Sequence, residues 1–200
     1  SQSMSFESFH ASPTCAPTRS AIMSGRDPFY VGVTHTVLER ERMALNVPTL
    51  AEMLRDNGYS TGIFGKWHLG DHPDFSPNNQ GFDEYFGIPY SNDMNHPDNK
   101  NKNKRSMDET WLNQDEAVKT WHTPLMQDEE IVEIPANQRT ITRRYTDHAI
   151  EFVKENKRGP FFLYLPHSMP HIPLFVPEDA WDPDPQNAYK AVIEHIDAEV

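Results

Sequence analysis

Cys15 is the single cysteine of the 200-residue chain, and the permanent cation Arg19 lies one helical turn further on. The stretch Ser12-Pro13-Thr14-Cys15-Ala16-Pro17-Thr18-Arg19-Ser20 thus combines a thiol, a proline and a guanidinium. Proline is favoured in a first helical turn, where its missing N–H costs nothing, so the stretch predicts a nucleophile at a helix start. Free N–H groups and the positive helix end stabilise an anion at such a place. Arg19 has the spacing that puts it on the same face as Cys15, and a guanidinium can grip oxyanion oxygens in pairs. The opposing reading is an inert buried thiol, the ordinary condition of a lone cysteine in apolar surroundings.

Two further places bring polar groups to strand ends. Tyr59 to Phe64 reads as a strand running straight into Gly65-Lys66-Trp67-His68-Leu69-Gly70. Ligand-binding groups of open α/β sheets sit beyond the carboxyl ends of strands. In extended backbone Lys66 and His68 point the same way, and Trp67 faces oppositely into packing. The lysine supplies charge and the histidine exchanges a proton near neutral pH, which suits an anionic substrate. Phe161 to Leu165 is continuous and apolar, as expected of a central strand buried on both faces. It leads into Pro166-His167-Ser168-Met169-Pro170-His171-Ile172-Pro173. His171 fits an acid/base or oxyanion contact. His167 is left open between that role, a supporting one and a plain loop position. His35 reads as exposed or hydrogen-bonded.

The positioning elements follow from pattern. Ser5 to His10 reads as a short strand or extended segment, and Thr18 to Ser24 as a helix stopped by Gly25. Thr49 and Glu52 form a capping box, followed by a stripe of Leu50, Met53 and Leu54 and a stop at Asn57-Gly58. The aromatics of 81–87 read as core. Residues 92–134, with an Asn/Lys-rich stretch from His96 to Arg105, read as a loop-rich excursion whose Trp111, Trp121 and His122 either contact substrate or, more ordinarily, pack it against the domain. Residues 137–156 read as a helix with a stripe of Ile141, Tyr145, Ala149, Phe152 and Val153. Residues 188–200 read as a helix burying Ile193 and Ile196, with His195 exposed. Helix, glycine, short strand is the rhythm of an α/β layered fold.

Lys plus Arg number 18 and Asp plus Glu 30, for a net charge of -12. That excess argues against nucleic acid as a partner, since no broad basic surface can neutralise phosphates. A local cationic cluster can still take an anionic substrate. One cysteine permits neither an internal disulfide nor a cysteine-based metal cluster. No stretch is long and apolar enough for a membrane span.

Taken together, these segments resemble the sulfatase family, the formylglycine-dependent (type I) enzymes of the alkaline-phosphatase-like superfamily. The resemblance rests on Cys15-x-Pro17-x-Arg19 with Gly25-Arg26, and on Thr61 to Gly70 with Gly81-Phe82-Asp83. It also rests on Pro160 to Tyr164 leading to Pro170-His171-Ile172-Pro173, and on Glu194-His195-Ile196-Asp197. The resemblance implies an alkaline-phosphatase-like layered α/β fold, with a central mostly parallel sheet flanked by helices, here incomplete. Residues 1–200 would be part of one catalytic domain. A first strand with metal-binding aspartates, and a later Asp-Asn pair and lysine, would lie outside the sequence.

The resemblance further implies that a separate formylglycine-generating enzyme oxidises Cys15. One hydroxyl of the hydrated aldehyde, held on a divalent metal, usually calcium, would attack the sulfur of a sulfate ester. Cys15 would thereby be a metal ligand. Arg19 would hold the diol, Lys66 would bridge it to a sulfate oxygen, and His68 would be the base that helps release sulfate. His171 would bind the sulfate and protonate the leaving oxygen, and Ser91 matches a position near bound sulfate. Thr18 stands where serine is commonest but keeps the hydroxyl. A sulfated saccharide or an aryl sulfate is the implied substrate, and periplasmic or secreted the implied location. The alternatives are a phosphatase or phosphonate monoester hydrolase of the same superfamily, a non-catalytic sulfatase-like binding protein, and a thiol hydrolase built on Cys15.

Overall fold

The computed structural model describes residues 7–37, 39–99 and 106–200. Helices are α1 (Cys15–Ser24), α2 (Leu50–Asp56), α3 (Met107–Leu112), α4 (Gln114–Val118), α5 (Ile141–Asn156) and α6 (Ala188–Glu199). Strands are β1 (Ser60–Lys66), β2 (Glu84–Ile88), β3 (Leu125–Gln127), β4 (Glu130–Glu133) and β5 (Phe161–Tyr164), forming one sheet in the order β4-β3-β2-β1-β5. β1 pairs in parallel with both β2 and β5, while β3 and β4 add an antiparallel margin.

Alternation along the strands builds a core on each face of the sheet. Ile63 and Tyr85 point into a cluster with Ala16 and Met23 of α1 and Ala51 of α2. Their neighbours Phe64 and Phe86 point the other way, onto Tyr145, Ala149 and Phe152 of α5. This period of two explains why a parallel sheet reads as near-continuous apolar runs. A third cluster joins Trp111 and Trp121 to Phe175 and Val192 of α6, so both tryptophans pack as expected.

Two glycines permit close backbone approaches, Gly87 between β2 and β1, and Gly65 between β1 and the segment that leaves β5. A Cβ on Gly87 would lie 1.7 Å from the Gly65 carbonyl oxygen, and one on Gly65 would lie 2.2 Å from that of Pro166. Gly65 also has a φ of 142°, which a side chain disfavours.

Several expectations are corrected. The stretch 92–134 is not simply an excursion, because β3 and β4 lie within it and extend the sheet beside β2. β2 itself is a strand that aromatic content alone did not announce. β5 is half-buried along its length and is the last strand in the sheet order, rather than central. Of the proposed strand over Ser5–His10, residues up to 6 lie outside the described residues, and 7–10 are bend and irregular backbone. The Asn/Lys-rich residues 100–105 also lie outside them.

Helix faces shift for local reasons. In α2 both capping-box bonds form, Glu52 N–H to Thr49 Oγ1 at 3.0 Å and Thr49 N–H to Glu52 Oε2 at 2.7 Å. Ala51 takes the buried position, while Met53 is 47% exposed. α5 starts at Ile141 instead of Asn137, because the Asn137 side chain accepts from Arg139 N–H and so competes with helical backbone bonding. In α6 the buried face runs through Ala188, Ala191, Val192 and on to His195, at helical spacing. That phase turns Ile193 outward and His195 inward, where only 9% of its side chain is exposed beside Glu199.

Candidate active site

The carboxyl ends of β1, β2 and β5 converge with the amino end of α1. Cys15 opens α1, whose N-cap residue Thr14 makes no side-chain capping bond, and Gly25 closes it with a φ of 65°. The first-turn N–H groups therefore face the same space as the thiol. Arg19, one turn on, reaches across and donates from Nη1 to the Lys66 carbonyl at 2.5 Å. That bond ties α1 to the end of β1.

Beyond Lys66 the backbone turns. His68 has a φ of 62°, a left-handed conformation that is costly for a residue with a Cβ. Lys66 and His68 therefore do not share a side through extended pleating, as spacing suggested. Both side chains are nonetheless buried at the same end of the strand, each 1% exposed. Trp67 packs into the core and donates from Nε1 to the Phe75 carbonyl at 2.8 Å.

The tautomer of His68 follows from its partners. Nε2 lies 2.8 Å from the Thr36 carbonyl, which can only accept, so Nε2 carries the hydrogen. Nδ1 then presents a lone pair to Cys15 Sγ at 3.2 Å. Burial first, and the charge of Lys66 second, push the His68 pKa down to about 3, so the ring is neutral at neutral pH.

Lys66 Nζ donates to Ser91 Oγ at 3.2 Å. Burial, then the neighbouring Arg19, push the lysine down to about 8, against the opposing pull of Cys15. Ser91 Oγ lies 3.1 Å from His171 Nε2. His171 Nδ1 is 2.6 Å from the Ile172 carbonyl, so that nitrogen holds the hydrogen and Nε2 accepts from Ser91. Burial lowers the His171 pKa, and Lys66 lowers it further. An anion placed between Lys66 and His171 would offset that charge and favour the imidazolium.

Cys15, Arg19, Lys66, His68, Ser91 and His171 thus form one neighbourhood fed by four elements. His167 stands apart: neither of its ring nitrogens has a hydrogen-bond partner among the described residues, and its nearest aromatic neighbour is Tyr145. His35 is exposed and its Nδ1 meets only the Thr36 hydroxyl. Two contributors escaped the sequence reading. One is the Thr36 carbonyl, which no residue type announces. The other is Asn92, fully buried beneath the site. A larger hollow between α5 and α6 is lined by Arg139, Arg143 and Arg144, but each is already paired with a carboxylate.

Cys15 bonds to an imidazole and an ammonium, and the Arg19 guanidinium lines the same cleft, a set that suits an oxyanion. Among the described residues no three His, Cys, Asp or Glu side chains group so as to hold a metal ion. These residues alone do not make a metal cage. Among them, too, no helix is long and apolar enough to cross a membrane.

A cluster of cationic and polar side chains at the carboxyl ends of parallel strands, beside a cysteine at a helix start, occupies the position where layered α/β folds hold their ligands. The chain belongs to the sulfatase family, whose profile, described as Sulfatase, matches residues 1–194. It is 38% identical to arylsulfatase G of Rattus norvegicus over 99% of its own length and 40% of that protein's. It is 31% identical to N-acetylgalactosamine-6-sulfatase of Mus musculus, covering 100% of this chain and 39% of that one. The chain therefore spans about two fifths of the length of these relatives. Among solved structures, Ps i-CgsB in complex with k-i-k-neocarrahexaose superposes with a TM-score of 0.67 at 28% identity, over 94% of this chain and 43% of that one. The fold is that of these sulfatases, alkaline-phosphatase-like, with a central sheet between helical layers.

Proposed function

We propose that residues 1–200 are part of the catalytic domain of a sulfatase, and that the full-length protein hydrolyses a sulfate ester to an alcohol and sulfate. The observation that carries this reading is the thiol at position 15 set among His68 Nδ1, buried Lys66 and Arg19. Charge developing on oxygens there meets fixed donors that need no reorganisation.

Membership of the family implies conversion of Cys15 to formylglycine by a separate maturation enzyme, and the hydrated aldehyde would supply an oxygen nucleophile where the thiol stands. One hydroxyl would attack the sulfur as the alcohol leaves, and His68 Nδ1, held by the bond from Nε2 to Thr36, is the base that takes the proton of the other hydroxyl as sulfate departs and the aldehyde is restored. Arg19 and Lys66 balance the negative charge of the attacking oxygen, and Lys66 Nζ also binds a sulfate oxygen. Ser91 orients the ring of His171, and once a bound sulfate favours the imidazolium its Nε2 carries the proton destined for the leaving alcohol. Calcium, the divalent metal implied by the family, would supply Lewis-acid charge there, and position 15 is its one candidate ligand among the described residues. Sulfated saccharides are the favoured substrate class, supported by the named relatives, with aryl sulfates the simpler test compounds. Export to the periplasm or out of the cell is the location that the family resemblance implies.

The test uses the full-length protein coexpressed with a formylglycine-generating enzyme. The peptide spanning Cys15 should have the mass of the aldehyde, and a sulfate monoester should turn over faster than the matching phosphate monoester. An unmodified thiol in that sample, or preference for the phosphate ester, would overturn the reading.

A further inference from the structure

Asn92 connects two loops that carry different parts of the site. It follows Ser91 on the loop leaving β2, and it is fully buried. Its Nδ2 donates to the Pro173 carbonyl at 2.9 Å and to Gln138 Oε1 at 3.0 Å, and lies 3.4 Å from the His171 carbonyl. Gln138, 1% exposed, returns a bond from Nε2 to the Asn92 carbonyl at 3.0 Å. That carbonyl also accepts from Thr123 Oγ1 at 3.2 Å, and the same hydroxyl reaches the Met94 carbonyl at 2.9 Å. One amide thus spans the loop after β2 and the loop after β5, with the start of α5 and the strand-β3 approach as its footing.

These bonds are buried, so each is held against few competing water contacts and its loss leaves carbonyls unpaired. The His171 backbone has no helix or strand to fix it. It lies between Ser168, whose carbonyl accepts the His171 N–H at 3.2 Å, and Pro173, which Asn92 holds. Ser91, by contrast, is attached to Asn92 through the chain itself. The Ser91 hydroxyl and the His171 ring meet only if the two loops keep their separation.

We infer that Asn92 is a positioning residue, which clamps the His171 loop to the Ser91 loop and so sets the distance from His171 Nε2 to the leaving-group oxygen. The inference rests on the proposed sulfatase reading and deepens it. Oδ1 of Asn92 has no hydrogen-bond partner among the described residues. Asn92→Asp keeps the side-chain shape but buries a charge and sets a carboxylate oxygen against two carbonyls and an amide oxygen, so it should be at least as damaging as Asn92→Ala.

The experiment compares Asn92→Ala, Asn92→Asp, His171→Ala and the Asn92→Ala/His171→Ala pair in the full-length matured protein, with a series of aryl and alkyl sulfates. Small misplacements of a reacting group cost up to about 100-fold. Asn92→Ala should lower kcat for poor leaving groups by about 10- to 100-fold and for good leaving groups by less than about threefold. In the His171→Ala background the same change should cost less than about threefold for every ester, since coupled groups are not additive. Thermal melting of each variant separates this from unfolding. Equal losses across leaving groups, or full additivity with His171→Ala, would overturn the inference. If the parent hydrolyses no sulfate ester, the sulfatase reading itself fails. Affinity for inorganic sulfate then decides: Asn92→Ala and His171→Ala should each weaken it, and the pair no further, whereas additive losses refute the clamp.

Discussion

Cys15 Sγ and His68 Nδ1 face each other at 3.2 Å, and the opposite side of the imidazole is fixed on the Thr36 carbonyl. The ring can therefore accept a proton from position 15 without rotating or changing tautomer. His68→Ala in the matured full-length protein should lower kcat by about 100- to 10,000-fold, the range expected when a general base is removed. The mass of the position-15 peptide should not change. If the variant kept most of its turnover, the base would have to be another group.

Arg19 holds the Lys66 carbonyl and faces the thiol from the same helix. A lysine at position 19 keeps the charge but loses the planar fork that can serve a carbonyl and an oxyanion together. Arg19→Lys should therefore cost at least about tenfold in kcat/KM, even in molecules whose position 15 is fully converted. Measuring conversion and turnover on the same sample separates a maturation defect from a catalytic one. Full turnover after normal conversion would mean that charge alone suffices.

Much of this site was legible because its residues follow strand or helix signals. Lys66 and His68 come straight after an apolar run, His171 follows the most apolar segment of the chain, and Cys15 sits beside a helix-start proline. What could not be read was geometry set by backbone at a distance. The left-handed turn at His68 has no local signature, and the carbonyl that fixes its tautomer belongs to Thr36, an unremarkable loop residue. Asn92 looks in sequence like any polar loop asparagine; only its burial under Gln138 and Pro173 distinguishes it. The sheet was misjudged at both margins for a related reason. β3 and β4 are short, and their pairing depends on a neighbour distant in sequence, which periodicity cannot supply.

Gly87 tests the close approach of β1 and β2. Its missing side chain leaves room for the Gly65 carbonyl, which a Cβ would meet at 1.7 Å. Neither strand can retreat, because Phe64 and Phe86 pack against α5 on one face while Ile63 and Tyr85 fill the other. Gly87→Ala should cost about 3 kcal/mol or more, as backbone overpacking at a core position does. Denaturant unfolding of the variant checks this, and a loss under about 1 kcal/mol would show that the strands can part.

His148 gives the fold a dependence on pH that can be isolated from the site. Its ring stacks on Phe86 with centroids 3.8 Å apart, and on Phe64 at 6.0 Å. Burial lowers its pKa; Arg144 lowers it further, while Glu151 and Asp147 pull the other way. The unfolded chain takes up a proton near the ordinary histidine value of about 6.5, before the folded chain does. Between the two values the unfolded state holds more protons, so stability must rise with pH across that window. Acidification from about pH 8 to about pH 5 should therefore lower the melting temperature, and His148→Gln should make that fall shallower. His68, His167 and His171 are shifted in the same direction and add to the slope, whereas Glu84, raised by burial, opposes it at the acid end. Parallel melting curves for parent and variant over the whole range would show that His148 takes up its proton equally in both states, and that its stacking on Phe86 does not discriminate between the charged and neutral ring.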